Sequence, residues 1–267
     1  MVLESIINPK NAEDKPHHIF IIAFLYTIAS AVVSQKIFPN SASILTVSFV
    51  TILFVPFFQK LFSIEEEKEK GASAKTINLF VRHKEIFYVF STFFLGVVVA
   101  MTFMYIFMPS QQLFSAQSET IRNFGTGKLT DSGEFSRFFL NNTQVMIAMF
   151  FLSFAFGAGA VFILAWNASV IALYLGLFIQ SSVSKGVGTT VAFIYGVPVG
   201  LGTLALHGIP EVSAYFIAGL AGGLLSVGII REKIQSKEFR LILKDSLLLL
   251  ILAEFLISVG AYIEAAV

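Results

Sequence analysis

Apolar runs close to the length of a membrane crossing recur along this chain, and they constrain its fold more than any other feature. Residues 19–37, 41–62, 86–108, 145–166, 191–206, 212–230 and 247–263 are the main ones. Most approach the ~20 residues that an α-helix needs to cross a hydrocarbon core about 30 Å thick. A membrane barrel would instead need short alternating strands, and none are written here. With 56% hydrophobic and 13% charged residues among 267, the expected class is an all-α, polytopic membrane protein. The formal net charge of +1 carries no signature of a nucleic-acid partner. Zero Cys excludes disulfides, thiolate metal sites and cysteine nucleophiles. Four His, two of them adjacent at His17 and His18, leave little for a histidine metal centre, so no cofactor and no metal are expected.

Two basic loops set the expected topology. Residues 60–85 hold Lys60, Lys68, Lys70, Lys75, Arg82 and Lys84 among five glutamates, and Arg231, Lys233, Lys237, Arg240 and Lys244 follow residue 230. Dense Lys/Arg marks a cytoplasmic loop, and acids count for little in that rule. The Glu-rich part of the first loop reads as a solvated helix or linker. On this reading the N-terminus is cytoplasmic and the C-terminus outside. Ala29-Ser30-Ala31 imitates a signal-peptidase site, but a second apolar run follows at once and the first helix is read as retained. The span 145–166 ends inside, while 212–230 enters its loop from outside. Residues 167–206 must then supply an odd number of crossings. The short stretch 168–180 is accordingly read as a re-entrant, half-length or interfacial segment, giving about seven crossings plus one incomplete one. Residues 109–139 form the longest loop, and Phe114, Phe124, Phe135 and Phe138 point it back toward the membrane surface. The chain divides into a hairpin with its charged loop, 1–85, and a transmembrane core, 86–267.

His207-Gly208-Ile209-Pro210-Glu211 joins two of the runs with almost no polar spacer. Ionisable groups beside lipid are costly and need a partner or a polar cavity. An offset of four puts His207 and Glu211 on one helix face, and the small residues Ala214, Ala218, Gly222 and Ser226 continue that face. Small residues let helices approach closely in a bilayer. The pair is therefore expected to face protein, hydrogen-bonded mutually or to a common partner. Gly157, Gly159, Gly196, Gly200, Gly219, Gly222 and Gly223 are the expected packing positions, and Pro198 an expected bend. Glu254 lies near the middle of the last run and Glu264 at its end. A neutral Glu254 bonding between helices needs no transport function, yet intramembrane acids with a His also suit a proton- or cation-coupled carrier. Zinc-protease, phosphate-loop and serine-elbow motifs are absent from the sequence.

Residues 86–267 resemble the stage II sporulation protein M family, found in bacteria and many archaea. The resemblance rests on Asn142 opening a glycine-containing span, Phe156-Gly157-Ala158-Gly159, then Asn167 opening the next segment. It continues with His207-Gly208, Glu211 and the run Ala218-Gly219-Leu220-Ala221-Gly222-Gly223. Leu206 stands where the family usually has Pro, and Ala168 where it has Gly. The resemblance groups residues 141–143 and Asn167 with the His-Gly element, and the depth of Asn142 favours it as the partner of Glu211. It also implies a non-enzymatic role, since the namesake anchors cell-wall hydrolases at the septum without being one. The expected function is a scaffold for unknown membrane or envelope proteins in the cell membrane, with lipid and a second copy of the chain as further candidate partners. The alternative is a transporter or channel using His207, Glu211, Glu254, Asn142 and Asn167.

The topology has a direct test in a chain that lacks Cys. Single cysteines at Lys75 and Lys237 are expected to stay unlabelled by an impermeant thiol reagent applied outside the cell. Labelling at either position overturns the orientation.

Overall fold

The computed structural model describes residues 16–71, 83–126 and 133–266. Lys75 and Arg82 of the first basic loop, Gly127 and the N-terminal polar stretch lie outside them. Eight α-helices are formed among the described residues: α1 (Pro16–Ile37), α2 (Ala42–Gly71), α3 (Lys84–Phe107), α4 (Ser115–Thr126), α5 (Glu134–Phe156), α6 (Ala160–Ser184), α7 (Thr189–Arg231) and α8 (Lys237–Ala266). Seven of these, all but α4, are long and apolar enough to cross a membrane. The protein is a polytopic all-α membrane protein.

Local chemistry explains several of the ends. Pro39 follows α1 and opens a single 3₁₀ turn, Pro39–Ser41, because proline cannot continue the helix that precedes it. Between α5 and α6 the chain reverses within Gly157, Ala158 and Gly159. Gly157 sits at φ 70°, ψ −56°, and the Ala158 N–H bonds to the Phe156 carbonyl at 2.8 Å. That is a γ-turn, a strained conformation that glycine adopts without a Cβ penalty. A Cβ on Gly159 would collide with the Leu152 carbonyl. Gly157 and Gly159 thus make a turn, where the sequence reading had them on the packing face of a span over 145–166.

This turn corrects the expected count of segments. Residues 168–180 are neither re-entrant nor half-length; they belong to α6, an unbroken helix of 25 residues. The stretches 191–206 and 212–230 are likewise one helix, α7, of 43 residues that runs through Pro198 and Pro210. Its length is about 65 Å at 1.5 Å per residue. The three segments expected between 168 and 230 are two helices, and the incomplete one disappears.

The core begins with phenylalanines. Phe58 of α2 stacks on Phe90 of α3 with centroids 5.0 Å apart, and Phe90 stacks on Phe216 of α7 at 5.3 Å. Phe54, Phe62 and Phe93 close the same cluster, all fully buried. Helix α1 packs on α3 at Gly96, where a Cβ would lie 2.7 Å from the Phe20 carbonyl oxygen. The first two helices therefore share one continuous core with the rest. The loop after α3 does fold back: Phe114 is buried against Tyr105, and Gln117 of α4 donates from Nε2 to Ser169 Oγ of α6 at 3.0 Å.

Helix α7 is the axis of the bundle. Every residue from Ala214 to Leu224 is buried. Its first half runs along α6, where Gly196 meets Ile179 and Gly200 meets Leu175. Its second half runs along α5 and α8. Gly222 lies against the Phe150 carbonyl and Ser153 of α5, Gly223 against the Phe62 ring, Gly219 against Ala160, and Gly228 against Ile242. Beyond the apolar spans, α2 continues and carries Glu65 and Glu66 into buried positions. Glu65 pairs with His83, and Arg231 at the end of α7 reaches Glu66 at 3.4 Å and Glu67 at 3.5 Å. This part of the Glu-rich stretch is a brace between the two basic loops, not a solvated linker. Helical continuation turns two of its acids inward.

Gly222 faces backbone, which cannot swing aside, so Gly222→Leu is expected to lower stability by about 1–3 kcal/mol or more, the range for overpacking. Gly202, with no atom within 4 Å of a built Cβ, supplies the control. Gly202→Leu should leave thermal unfolding in detergent unchanged, and equal effects of the two would refute the close approach.

Candidate functional site

The polar residues of the spans collect where α5, α7 and α8 meet. Helix α5 brings Arg137, Asn141, Asn142 and Thr143; α7 brings His207, Glu211 and Tyr215; α8 brings Glu254 and Glu264. The helical repeat sets His207, Glu211 and Tyr215 in one row, each four residues from the next. Tyr215 Oη donates to Asn142 Oδ1 at 3.0 Å, and Asn141 Nδ2 donates to the same oxygen at 3.1 Å. Two donors on that carbonyl fix the amide, and the Asn142 side chain also engages the Glu211 carboxyl. Asn142 and Tyr215 are both buried, at 7% and 4% exposure.

Glu211 also meets the side chain of Glu264. Glu264 in turn feels His207 and Arg137. Two carboxyls sharing a site repel unless a proton or a cation offsets them, and the imidazole and guanidinium act on Glu264. His207 and Glu211 therefore both act on Glu264, and Asn142 engages Glu211 as well as Tyr215 and Asn141. Glu211 Oε1 is buried without a hydrogen-bond partner among the described residues. The approach of α8 depends on Gly260: a Cβ there would stand 2.6 Å from Glu211 Cγ and 3.2 Å from the His207 carbonyl oxygen.

Glu254 belongs to a separate contact. Thr143 Oγ1 donates to its Oε1 at 3.0 Å, ten residues and about 15 Å along α8 from Glu264. Asn167 is apart from the cluster as well. Its Nδ2 donates to the Ile163 carbonyl at 2.9 Å, and it lines a cavity of about 520 Å³ between α5 and α6 that Asn142 and Tyr215 also border. Among the described residues no group of three or more His, Asp or Glu is placed to hold a metal ion.

Sequence reasoning passed over Arg137, Tyr215 and Gly260. Tyr215 carried a usable signal, being the next member of the His207–Glu211 row. Gly260, seven residues after Ala253 in a Leu- and Ile-rich helix, carried a weaker one. Arg137 carried none, because its partner lies more than a hundred residues away.

Apart from Glu211 Oε1, the arrangement is one of polar groups engaged with one another, and it joins three helices. Tyr215→Phe removes one of two donors from Asn142 and should cost about 0.5–1.5 kcal/mol, the net worth of a typical hydrogen bond. Gly260→Ala forces α8 off Glu211 and should cost more. Thermal unfolding of both variants in detergent checks the ranking, and its reversal counts against the close approach at Gly260.

Comparison with known proteins agrees with the sequence resemblance. The family model for stage II sporulation protein M matches residues 86–267, well over half of the chain. No curated protein and no solved structure matches. The match covers the whole polar cluster, from Arg137 to Glu264, and all the helices that form it. The chain is a membrane protein of the stage II sporulation protein M family.

Proposed function

We propose that this protein is a non-catalytic scaffold that holds other membrane or envelope proteins in place. The observation that supports it most is the engagement of its intramembrane carboxyls. Glu254 is bonded to Thr143 of α5, and Glu211 and Glu264 are turned toward each other and their neighbours. The cavity beside them is lined by neutral side chains. The polar chemistry thus serves helix contacts, as expected of a rigid platform. Seven crossings from an inside N-terminus put both basic loops on the cytoplasmic face, and Arg231, Glu66 and Glu67 tie those loops together. Partners are then expected to dock on residues 60–85 inside or 109–139 outside.

The carrier reading rests on the juxtaposed Glu211 and Glu264, which together can take up a proton. Reconstitution separates the two. For a scaffold, wild-type protein in liposomes shows no proton flux, Glu211→Gln lowers the unfolding temperature, and photo-crosslinkers in either loop give discrete adducts in the native membrane. A proton flux that needs Glu211, with no loop adducts, would establish the carrier and sink the scaffold.

A further inference from the structure

Helices α5 and α6 are consecutive and joined by a three-residue turn, yet they splay apart around the cavity of about 520 Å³. Its walls within the spans carry amides: Asn141, Asn142 and Gln144 on α5, and Asn167 on α6. Tyr215 of α7 lies behind them and Trp166 beside them. Gln144 is exposed and Asn141, Asn167 and Trp166 are half-buried, so the cavity opens sideways. Amides facing hydrocarbon without partners are costly. The internal bonds leave much of this polarity unused. Gln144 makes no hydrogen bond among the described residues, Asn167 uses only its nitrogen, and the Trp166 N–H donates to none of them. The lining holds no Lys, Arg, Asp or Glu.

We propose that this cavity binds the uncharged, hydroxyl-rich headgroup of an amphiphile such as a glycolipid, whose chains leave through the lateral opening. A carboxamide offers both a donor pair and an acceptor, the combination that hydroxyl groups satisfy from both sides. An anionic headgroup would meet no cation here, and plain hydrocarbon would leave the amides unpaired. The Trp166 ring supplies a flat apolar face for the carbon skeleton of a sugar, and the volume lies within the range of small-ligand sites. This site stands independently of the scaffold reading, since it needs no partner protein.

Trp166 is the only tryptophan of the chain, so tryptophan emission, excited at a wavelength tyrosine does not absorb, reports on the cavity. The full chain, extracted in a sugar-free detergent and placed in phosphatidylcholine nanodiscs, is titrated with glucosyl diacylglycerol, diacylglycerol, phosphatidylglycerol and soluble methyl glucoside. The expected result is a saturable emission change with glucosyl diacylglycerol, at least tenfold tighter than with diacylglycerol or phosphatidylglycerol. A saturable response to methyl glucoside as well supports the same headgroup chemistry and names a soluble sugar as a second source. Gln144→Leu, at an exposed position that does not disturb the core, should weaken the response about tenfold, the equivalent of one lost hydrogen bond, at an unchanged unfolding temperature. No saturable change with either sugar, an equal response to diacylglycerol or phosphatidylglycerol, or full retention in Gln144→Leu would overturn the proposal.

Discussion

The bundle depends on how little side chain α7 carries between Ala214 and Gly228. In a bilayer no hydrophobic force drives helix against helix, because lipid tails are as apolar as leucine; close packing and interhelical hydrogen bonds do it instead. Gly222 lets the α5 backbone reach α7, Gly223 admits the Phe62 ring, and Gly228 admits Ile242. Each contact lies on a different side of the helix, so α7 is enclosed over this whole stretch. The phenylalanines of α2 and α3 then fill the space that its glycines leave. Only with α5 and α8 held this close can Thr143 of α5 reach Glu254 of α8 and Asn142 of α5 accept from Tyr215 of α7.

The polar cluster and the glycine row are therefore one device. Glu211 precedes the small residues on the same helix, and Gly260 on α8 repeats their logic by giving up its Cβ to the Glu211 stem. A larger residue at Gly260 would widen the gap to Glu264 and leave both carboxyls in a poorer environment. At the C-terminal end of α7 the same principle works with ionisable side chains, of which Glu65, Glu66 and His83 are themselves buried. Arg231 spans to Glu66 and Glu67, while Glu65 and His83 are buried side by side. The helix is fastened by polar contacts at its middle and at its C-terminal end, and by packing between them.

Hydropathy made the class and the number of crossings legible, because runs near 20 apolar residues have few other uses. Boundaries failed at two places for different reasons. Between Val145 and Gln180 the chain stays apolar through its turn, so periodicity had nothing to detect. Gly157 and Gly159 also carry two meanings, and spacing alone favoured packing over a γ-turn. At His207 to Glu211 the error ran the other way, since His, Gly, Pro and Glu together read as a break. The helix continues because Pro210 forfeits a single backbone bond while α8 offers Glu264 to the polar side chains. The carboxyl nearest in depth to Glu211 could be inferred from the sequence, and so could the choice of Asn142 before Asn167. The role of Arg137 could not, since it depends on the register between α5 and α8.

Continuity of the helices bears on function as well as on fold. Carriers commonly build their sites from helices broken at membrane depth, where unpaired backbone groups and helix ends bind substrate or ions. Here α6 and α7 satisfy their own backbones along almost their entire length, even across two prolines. Binding chemistry inside the membrane must then come from side chains. Those of the α5–α7–α8 cluster are largely spent on one another, Glu211 Oε1 excepted, whereas Gln144 and the Asn167 amide oxygen between α5 and α6 are not. A rigid frame with a neutral recess lined by amides is what remains once the polar groups are assigned to their partners. That division is why the proposed ligand site lies in the gap beside Trp166, with the carboxyls as part of the fastening that holds the neighbouring helices together.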